Sequence, residues 1–482
     1  MTKRVAIIGG GISGLSAAYY LERERAESLN PHSSKERLSG PPEYELFEAS
    51  PRLGGVMWTE RVEGCLIEAG PDSFLSEKQS AAVLCRDLGI ADQLVGSNDN
   101  QRKTYILVRG RLVPMPDGLM FMVPTKLMPT VTTRLFLLRT KLRMAREFFA
   151  KPMRREGDES AAEFVERHFG AEVVDRLADP LLSGVYGGDA ARLSVRAVLP
   201  RFVEMEAKYG SLSRAMLAAM KKRNPTQSAK DADKGGAPSI FTSMFDGMQQ
   251  LVDAVVAQLP QERLHTRAEV TGLAREGNEW QVAVEGGVRS FDRVIIATPA
   301  YVAGALLKGV SPKLAGLLEQ IAYSSSVTVA LGYEAANFDG KIGGNPPDGF
   351  GFLVPRSEGK RLLACTFVHN KFPHRAPPDK FLLRVFLGGA RDEAALELSD
   401  EEILRTVRDE LYSILKLRAQ PVFARVYRWK RSMAQYEVGH LERVAEIKRL
   451  ESELPGLSLI GNAYSGIGVP DCIRMGMEAV HL

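Results

Sequence analysis

Cysteine is scarce in this chain, with four among 482 residues. Cys65, Cys85, Cys365 and Cys472 lie far apart, and no two form a C-x-x-C pair. That spacing argues against a thiolate metal site or a disulfide framework and points to a reducing compartment. The seven histidines are scattered, so no metal-ligand spacing emerges. A G-x-S-x-G nucleophile elbow is missing, and no acid–base pair stands out. The net charge is only +4, too small a surplus to mark a nucleic-acid partner. No run of 18 uncharged apolar residues exists, which excludes a membrane-spanning helix on sequence grounds. The first strand pattern opens at Val5, so no signal peptide is expected. No internal repeat is visible. What remains is a chain of ordinary apolar content, long enough for two or three interleaved domains.

What is present starts with "VAIIGGGISGLSAAYYL". Val5 to Ile8 form a short continuous apolar run, the pattern of a parallel strand buried on both faces. Gly9, Gly11 and Gly14 follow at G-x-G-x-x-G spacing. The first permits a tight turn, the second lets backbone approach a pyrophosphate, and the third lets helix pack on strand. Leu15 to Leu21 read as helix, whose N-terminal amides would face phosphate. The ribose-binding acid is expected about 20 residues on. Here Glu48 lies 34 residues beyond Gly14, at the end of a second apolar strand, Tyr44 to Phe47. Between them, "SLNPHSSKERLSGPP" reads as a surface insertion, which loops tolerate at little cost.

"PRLGG" follows directly. Arg52, Gly54 and Gly55 offer a guanidinium and backbone amides to phosphate oxygens. In "CLIEAGPDSF", Gly70 sets a rigid turn with Pro71, and Glu68 reads as a cap or a second ribose contact. Val270, in "HTRAEV", sits on a strand edge where its backbone could pair with adenine. "LIGNAYSGIGVPDCIRMG" is a second glycine loop. Asn462 follows a strand, Gly466 and Gly468 let backbone approach a flat ring, and a helix starts near Val469 and Pro470. Its N-terminal dipole favours negative charge, as on the pyrimidine edge of a reduced flavin. Two such loops at opposite chain ends favour FAD over NAD.

Between the ends, residues 112–225 read as mainly helical. Within them Gly118 to Arg155 mix large apolar residues with many basic ones and almost no acid. That mixture suits either a core-facing helix pair or a surface resting on anionic lipid, with Phe121, Leu135, Phe136 and Leu138 as contacts. Asn224 to Ser239 are polar and read as a mobile loop. Residues 263–286 read as antiparallel strands turning at Glu276-Gly277-Asn278.

With "EASPRLGG", "EAGPDSF", "LLSGVYGGDAARLS", "DGFGFLVP", "FLGGARD", "AQYEVGH" and "IGNAYSGIGVPDCI", the chain resembles the flavin amine oxidase superfamily. Within it, the chain is similar over nearly its whole length to the oxygen-dependent protoporphyrinogen oxidase family, bacterial type. The resemblance implies an α/β fold: a Rossmann-like FAD-binding domain interleaved with an α+β substrate domain and a helical membrane-associated domain. The implied boundaries are 1–90, 226–300 and 436–482 for FAD binding, 91–111 and 301–435 for the substrate domain, and 112–225 for the helical domain.

The resemblance also implies non-covalent FAD, a tetrapyrrole substrate, dioxygen as acceptor, peripheral attachment to the bacterial cell membrane from the cytoplasm, and compatibility with a homodimer. Carried over by motif, Gly184 would present a backbone carbonyl to the reacting ring. Leu353 and Phe386 would flank the macrocycle, Val185 and Thr366 would line the pocket, and Trp429 would join the cofactor contacts. Plant and animal members carry a propionate-binding arginine where this chain has Thr104, beside Arg102 and Lys103. The tail after Gly476 is short for the family. The expected reaction is oxidation of protoporphyrinogen IX to protoporphyrin IX with release of peroxide, ahead of coproporphyrinogen III oxidation. An amine oxidase, a carotenoid desaturase and a flavin-free binding protein on the same scaffold are the remaining readings.

Overall fold

The computed structural model describes residues 3–29, 42–120, 122–222 and 239–481. Strands from the start, middle and end of the chain meet in one five-stranded parallel sheet. Its order is Leu264–Thr266, Glu43–Glu48, Arg4–Ile8, Arg293–Ile296 and Leu457–Leu459. The strands are apolar on both faces, with Ala6, Ile7, Leu46, Ile295 and Ile296 all fully buried, because helices cover both sides. The helix Ile12–Leu29 extends well past the expected Leu21. It packs closely on the last helix, Val469–Glu478: a Cβ built on Gly476 would lie 2.5 Å from the Ser13 carbonyl oxygen. Only hydrogen fits there.

The hairpin at Gly277 forms as expected, between Val270–Glu276 and Glu279–Val284. Buried Trp280 ties it down by donating its indole N–H to the Pro455 carbonyl at 3.1 Å.

A second, seven-stranded sheet is mostly antiparallel. Its order is Phe423–Ala434, Tyr323–Glu334, Lys380–Gly388, Ala364–Phe367, Gly351–Leu353, Thr104–Val108 and Arg111–Pro114. One face is apolar: Val327, Val329, Leu383, Val385 and Phe352 pack under Ile403, Val407 and Leu411 of the helix Asp400–Leu415. A capping box, Ser399 with Glu402, starts that helix. Part of the other face, with Ala330, Leu382, Phe423 and Tyr427, packs on Cys65, Ile67 and Ala69.

Residues 111–124 carry short strands, and the helical stretch begins only at Leu127. Phe164, Val165, Phe169 and Leu177 form its core, together with Leu135 and Phe136. These last two were candidate lipid contacts and are instead buried; Phe121 lies outside the described residues. Leu138 is 72 % exposed, as expected. The expected insertion before Tyr44 and the polar loop from Asn224 fall largely outside the described residues. Among the described residues, no helix is long and apolar enough to cross a membrane.

Candidate active site

The first glycine loop is built from backbone contacts. Gly9 has φ +106°, a conformation that suits glycine, and its N–H donates to the Phe47 carbonyl at 2.8 Å. A Cβ on Gly14 would sit 2.0 Å from the Gly9 carbonyl oxygen. A Cβ on Gly11 would meet nothing within 4 Å, so the loop leaves open space beside this residue. Glu48 ends its strand and accepts from the Gly10 N–H at 2.7 Å and the Ser50 N–H at 2.8 Å. Val270 opens the strand Val270–Glu276 of a separate three-stranded sheet, and just before it the Ala268 N–H donates to the Glu48 carbonyl at 2.9 Å.

The second loop folds onto the first. The Gly54 N–H donates to the Gly10 carbonyl at 2.8 Å, and a Cβ on Gly55 would come within 3.3 Å of the Gly11 Cα. Arg52 pins this loop by donating to the carbonyls of Leu53, Gly55 and Met57 and to Gln249. Its guanidinium is therefore committed to the loop's own backbone. Glu68 resolves as a buried cap: it accepts from the Met248 N–H at 2.8 Å at the start of a helix and pairs with Arg375.

Gly70 seats on the same loop, since its Cβ would lie 1.8 Å from the Val56 carbonyl oxygen. Next to it, the Ala69 carbonyl accepts the Trp429 indole N–H at 2.8 Å. Trp429 belongs to the open face of the seven-stranded sheet. Register places Phe386 opposite Ala364, Ala364 opposite Leu353, and Leu353 opposite Ile106. The next row along is Arg384, Thr366, Gly351 and Thr104. Phe386, Leu353, Thr366 and Thr104 thus share one face, because side chains two apart point the same way.

The helix Asp179–Tyr186 reaches this face: a Cβ on Gly184 would be 3.8 Å from Leu353 Cδ2. A π-helical turn, Val174–Ala178, precedes that helix. Val185 is 51 % exposed beside Gly184. Lys103 points elsewhere, pairing with Asp348 at 3.1 Å.

The third loop follows the strand Leu457–Leu459. Tyr436 spans it: its hydroxyl donates to the Asn462 carbonyl and accepts from the Gly466 N–H, both at 2.9 Å. Burial pushes the Tyr436 phenol well above its ordinary pKa, so it stays a neutral donor. Its ring stacks on His440, 4.0 Å between centroids, and burial pushes that imidazole down to about 4. Gln435, one residue earlier, donates to the Tyr186 carbonyl at 2.7 Å. The Gly184 helix and the third loop are therefore held by adjacent residues. The Gly468 N–H donates to Asp471, which also pairs with Lys78 at 2.6 Å. Tyr436 lies in "AQYEVGH", where the local pattern shows no role for it, because a phenol's long-range partners leave no mark on local sequence.

Open space at Gly11, a carboxylate held at the end of the second strand and a helix N-terminus at Gly468 fit an extended dinucleotide with a flat ring. Comparison with known proteins agrees. The model for flavin containing amine oxidoreductases matches residues 12–481. The chain belongs to this family. It is an oxidoreductase, and FAD is its cofactor.

Within the flavin containing amine oxidoreductases, the chain is 38 % identical over 483 residues to the coproporphyrinogen III oxidase of Bacillus subtilis (strain 168), covering 99 % of this chain and 97 % of that one. It is 28 % identical over 507 residues to protoporphyrinogen oxidase 2, chloroplastic/mitochondrial, of Arabidopsis thaliana, covering 100 % and 93 %. A crystal structure from Exiguobacterium sp. 255-15, described provisionally as a protoporphyrinogen oxidase, superposes with a TM-score of 0.84 at 30 % identity, covering 100 % and 98 %.

Proposed function

We propose that this flavin containing amine oxidoreductase oxidises a porphyrinogen to the porphyrin, using dioxygen and releasing peroxide. The observation that carries the reading is the shared sheet face. Leu353 and Phe386 offer an apolar wall, Thr366 and Thr104 edge it, and Gly184 closes against Leu353. An apolar wall with few polar groups suits a large flat macrocycle.

In this reading, residues 1–90, 226–300 and 436–482 hold FAD non-covalently. Gly9, Gly11, Gly14, Gly54 and Gly55 give the phosphates room, Glu48 takes ribose, and Val270 faces adenine. Gly70, Trp429, Asn462, Gly466, Gly468 and Val469 surround the ring. Arg52 acts by holding the second loop's shape. When bound, the flavin supplies a two-electron acceptor, and three rounds remove six hydrogens from the macrocycle. The chain itself positions the ring and excludes water. The Gly184 carbonyl would lie near the reacting ring, with Val185 beside it.

We take coproporphyrinogen III as the substrate, ahead of the protoporphyrinogen IX expected from sequence. The Bacillus subtilis relative bears that name and shares more identity with this chain than the Arabidopsis protein does. Thr104 replaces the plant and animal arginine, so propionate pairing differs from theirs. Mixing the FAD-loaded protein anaerobically with coproporphyrinogen III should bleach the flavin absorbance within a turnover time. Flavin that stays oxidised would remove the proposal.

Peripheral lipid contact is part of the same reading. Leu138 and Leu142 are exposed on the helix Leu138–Glu147, among Arg139, Lys141 and Arg146, and Phe149 is 78 % exposed just beyond it. Apolar side chains ringed by cations suit an anionic membrane surface. Co-flotation with anionic vesicles should fall as salt rises; recovery equal with and without vesicles would refute it.

A further inference from the structure

The turn Ala69–Asp72 is where the cofactor loops meet the open sheet face, and five ionisable side chains lie beneath it. Their side-chain exposures run from 1 % for Glu68 and Arg375 to 16 % for Asp72. Lys371 pairs with Asp72 at 2.9 Å, and Arg375 pairs with Glu68 at 3.0 Å while donating to the Asp72 carbonyl at 2.9 Å. Arg384 donates to the Gly70 carbonyl and lies 3.9 Å from the Asp72 carboxylate. Three cations thus face two carboxylates. The Nε atoms of Arg375 and Arg384 have no hydrogen-bond partner.

A net buried charge is costly unless something compensates it. It also acts over a longer distance than a surface charge, because little water screens it. This one is placed at the seam. Gly70 sits on Val56, next to Gly55 and Gly11. The Arg384 guanidinium lies 4.7 Å from the Phe386 ring centroid, in the row that holds Thr366. Asp72 stays ionised: burial alone would raise it, but Lys371, Arg384 and Arg375 together hold it well below the usual carboxylate range.

We propose that the surplus positive charge of the Arg384–Asp72–Lys371–Arg375–Glu68 cluster sets the electron-accepting power of the bound flavin, by favouring its reduced, negatively charged form. Arg384 and Lys371 are positioning residues in this scheme, acting through charge rather than contact with substrate. The inference rests on the FAD cofactor and not on which porphyrinogen is oxidised.

The test is the two-electron midpoint potential of FAD in the full-length protein, read by dye equilibration after FAD content is confirmed. Arg384→Met and Lys371→Met should each shift the reduced/oxidised equilibrium at least tenfold towards oxidised, about 30 mV for a two-electron couple. Asp72→Asn should shift it in the opposite direction, a reversal that loss of packing does not produce. Arg384→Lys keeps the charge and should stay within threefold of the parent. Should Arg384→Met fail to retain FAD, the Lys371 and Asp72 variants decide the question. Shifts below threefold in both, or shifts of the same sign, would overturn the proposal. Bleaching by substrate is read separately, so failure here leaves the porphyrinogen reading standing.

Discussion

In the five-stranded parallel sheet, Ala6, Ile7, Leu46 and Ile295 are buried, and the strand ends alone are free to meet a ligand. What those ends present is mostly backbone: the open space at Gly11 and the amides around Glu48. In the seven-stranded sheet the two faces differ. One is an apolar floor for the helix Asp400–Leu415, and the other carries Phe386, Leu353, Thr366, Thr104 and Arg384. A sheet covered on both sides can contribute only its edge, through glycine geometry. The second face of the seven-stranded sheet is covered at one end by Cys65, Ile67 and Ala69 and at the other, through Ile106, by the helical stretch; between them it contributes side chains, and so can change its ligand by substitution without losing its core.

The largest effect should come from breaking the backbone cradle. Gly14→Val places a branched side chain where a Cβ would already lie 2.0 Å from a carbonyl oxygen. FAD should be lost completely, read from the ratio of flavin to protein absorbance. Gly11→Ala sharpens the point. No protein atom lies within 4 Å of the new Cβ, so the chain should fold normally while FAD binding weakens.

A region outside both sheets gives the next effect. Buried Glu206 accepts from His168 at 3.1 Å and pairs with Arg167, tying two helices of the helical stretch. Burial would raise its pKa, but His168 and Arg167 pull it down to about 2. A lowered carboxylate pKa stabilises the fold above its unfolded value of roughly 4.3, and that stabilisation is lost as pH falls through the folded value. Glu206→Gln should therefore cost about 3 kcal/mol at pH 7. The gap to the parent should close between pH 5 and pH 2, measured by denaturant unfolding.

The side-chain face should give smaller, substrate-specific effects. Phe386→Ala should raise the Michaelis constant roughly tenfold, about 1.4 kcal/mol, with FAD content unchanged. A fall in FAD content instead would mean that the two sheets are not separable. Smallest is Trp429→Phe, which removes one hydrogen bond to Ala69 worth about 1 kcal/mol. A slightly lower FAD affinity, seen by titration into the apoprotein, is the expected result.

Much of the cradle was legible because glycine spacing is local. Gly9, Gly11 and Gly14 fall within six residues; backbone contacts a few residues or one strand away require Gly9 and Gly14, while Gly11 borders open space. The displaced Glu48 was legible because an apolar strand led into it. The proposed substrate face came only through resemblance: Thr104, Leu353, Thr366 and Phe386 lie on four strands, and their shared face follows from long-range pairing. The ion cluster was not legible, since Lys371 meets Asp72 across 299 residues. Leu135 and Phe136 misled because an apolar–basic mixture does not say which side faces the core; packing on Phe164 and Leu177 decided it. Arg52 looked like a phosphate ligand by its neighbours, and its carbonyl partners become visible only once the loop is folded.

The most direct measurement is a side-by-side oxidase assay on coproporphyrinogen III and protoporphyrinogen IX under air, following porphyrin fluorescence and peroxide together. The account predicts porphyrin and peroxide from FAD-replete protein, with kcat/KM at least tenfold higher on coproporphyrinogen III. A tenfold preference for protoporphyrinogen IX would reverse the substrate assignment, and oxidation of neither by FAD-replete protein would contradict the account at its centre.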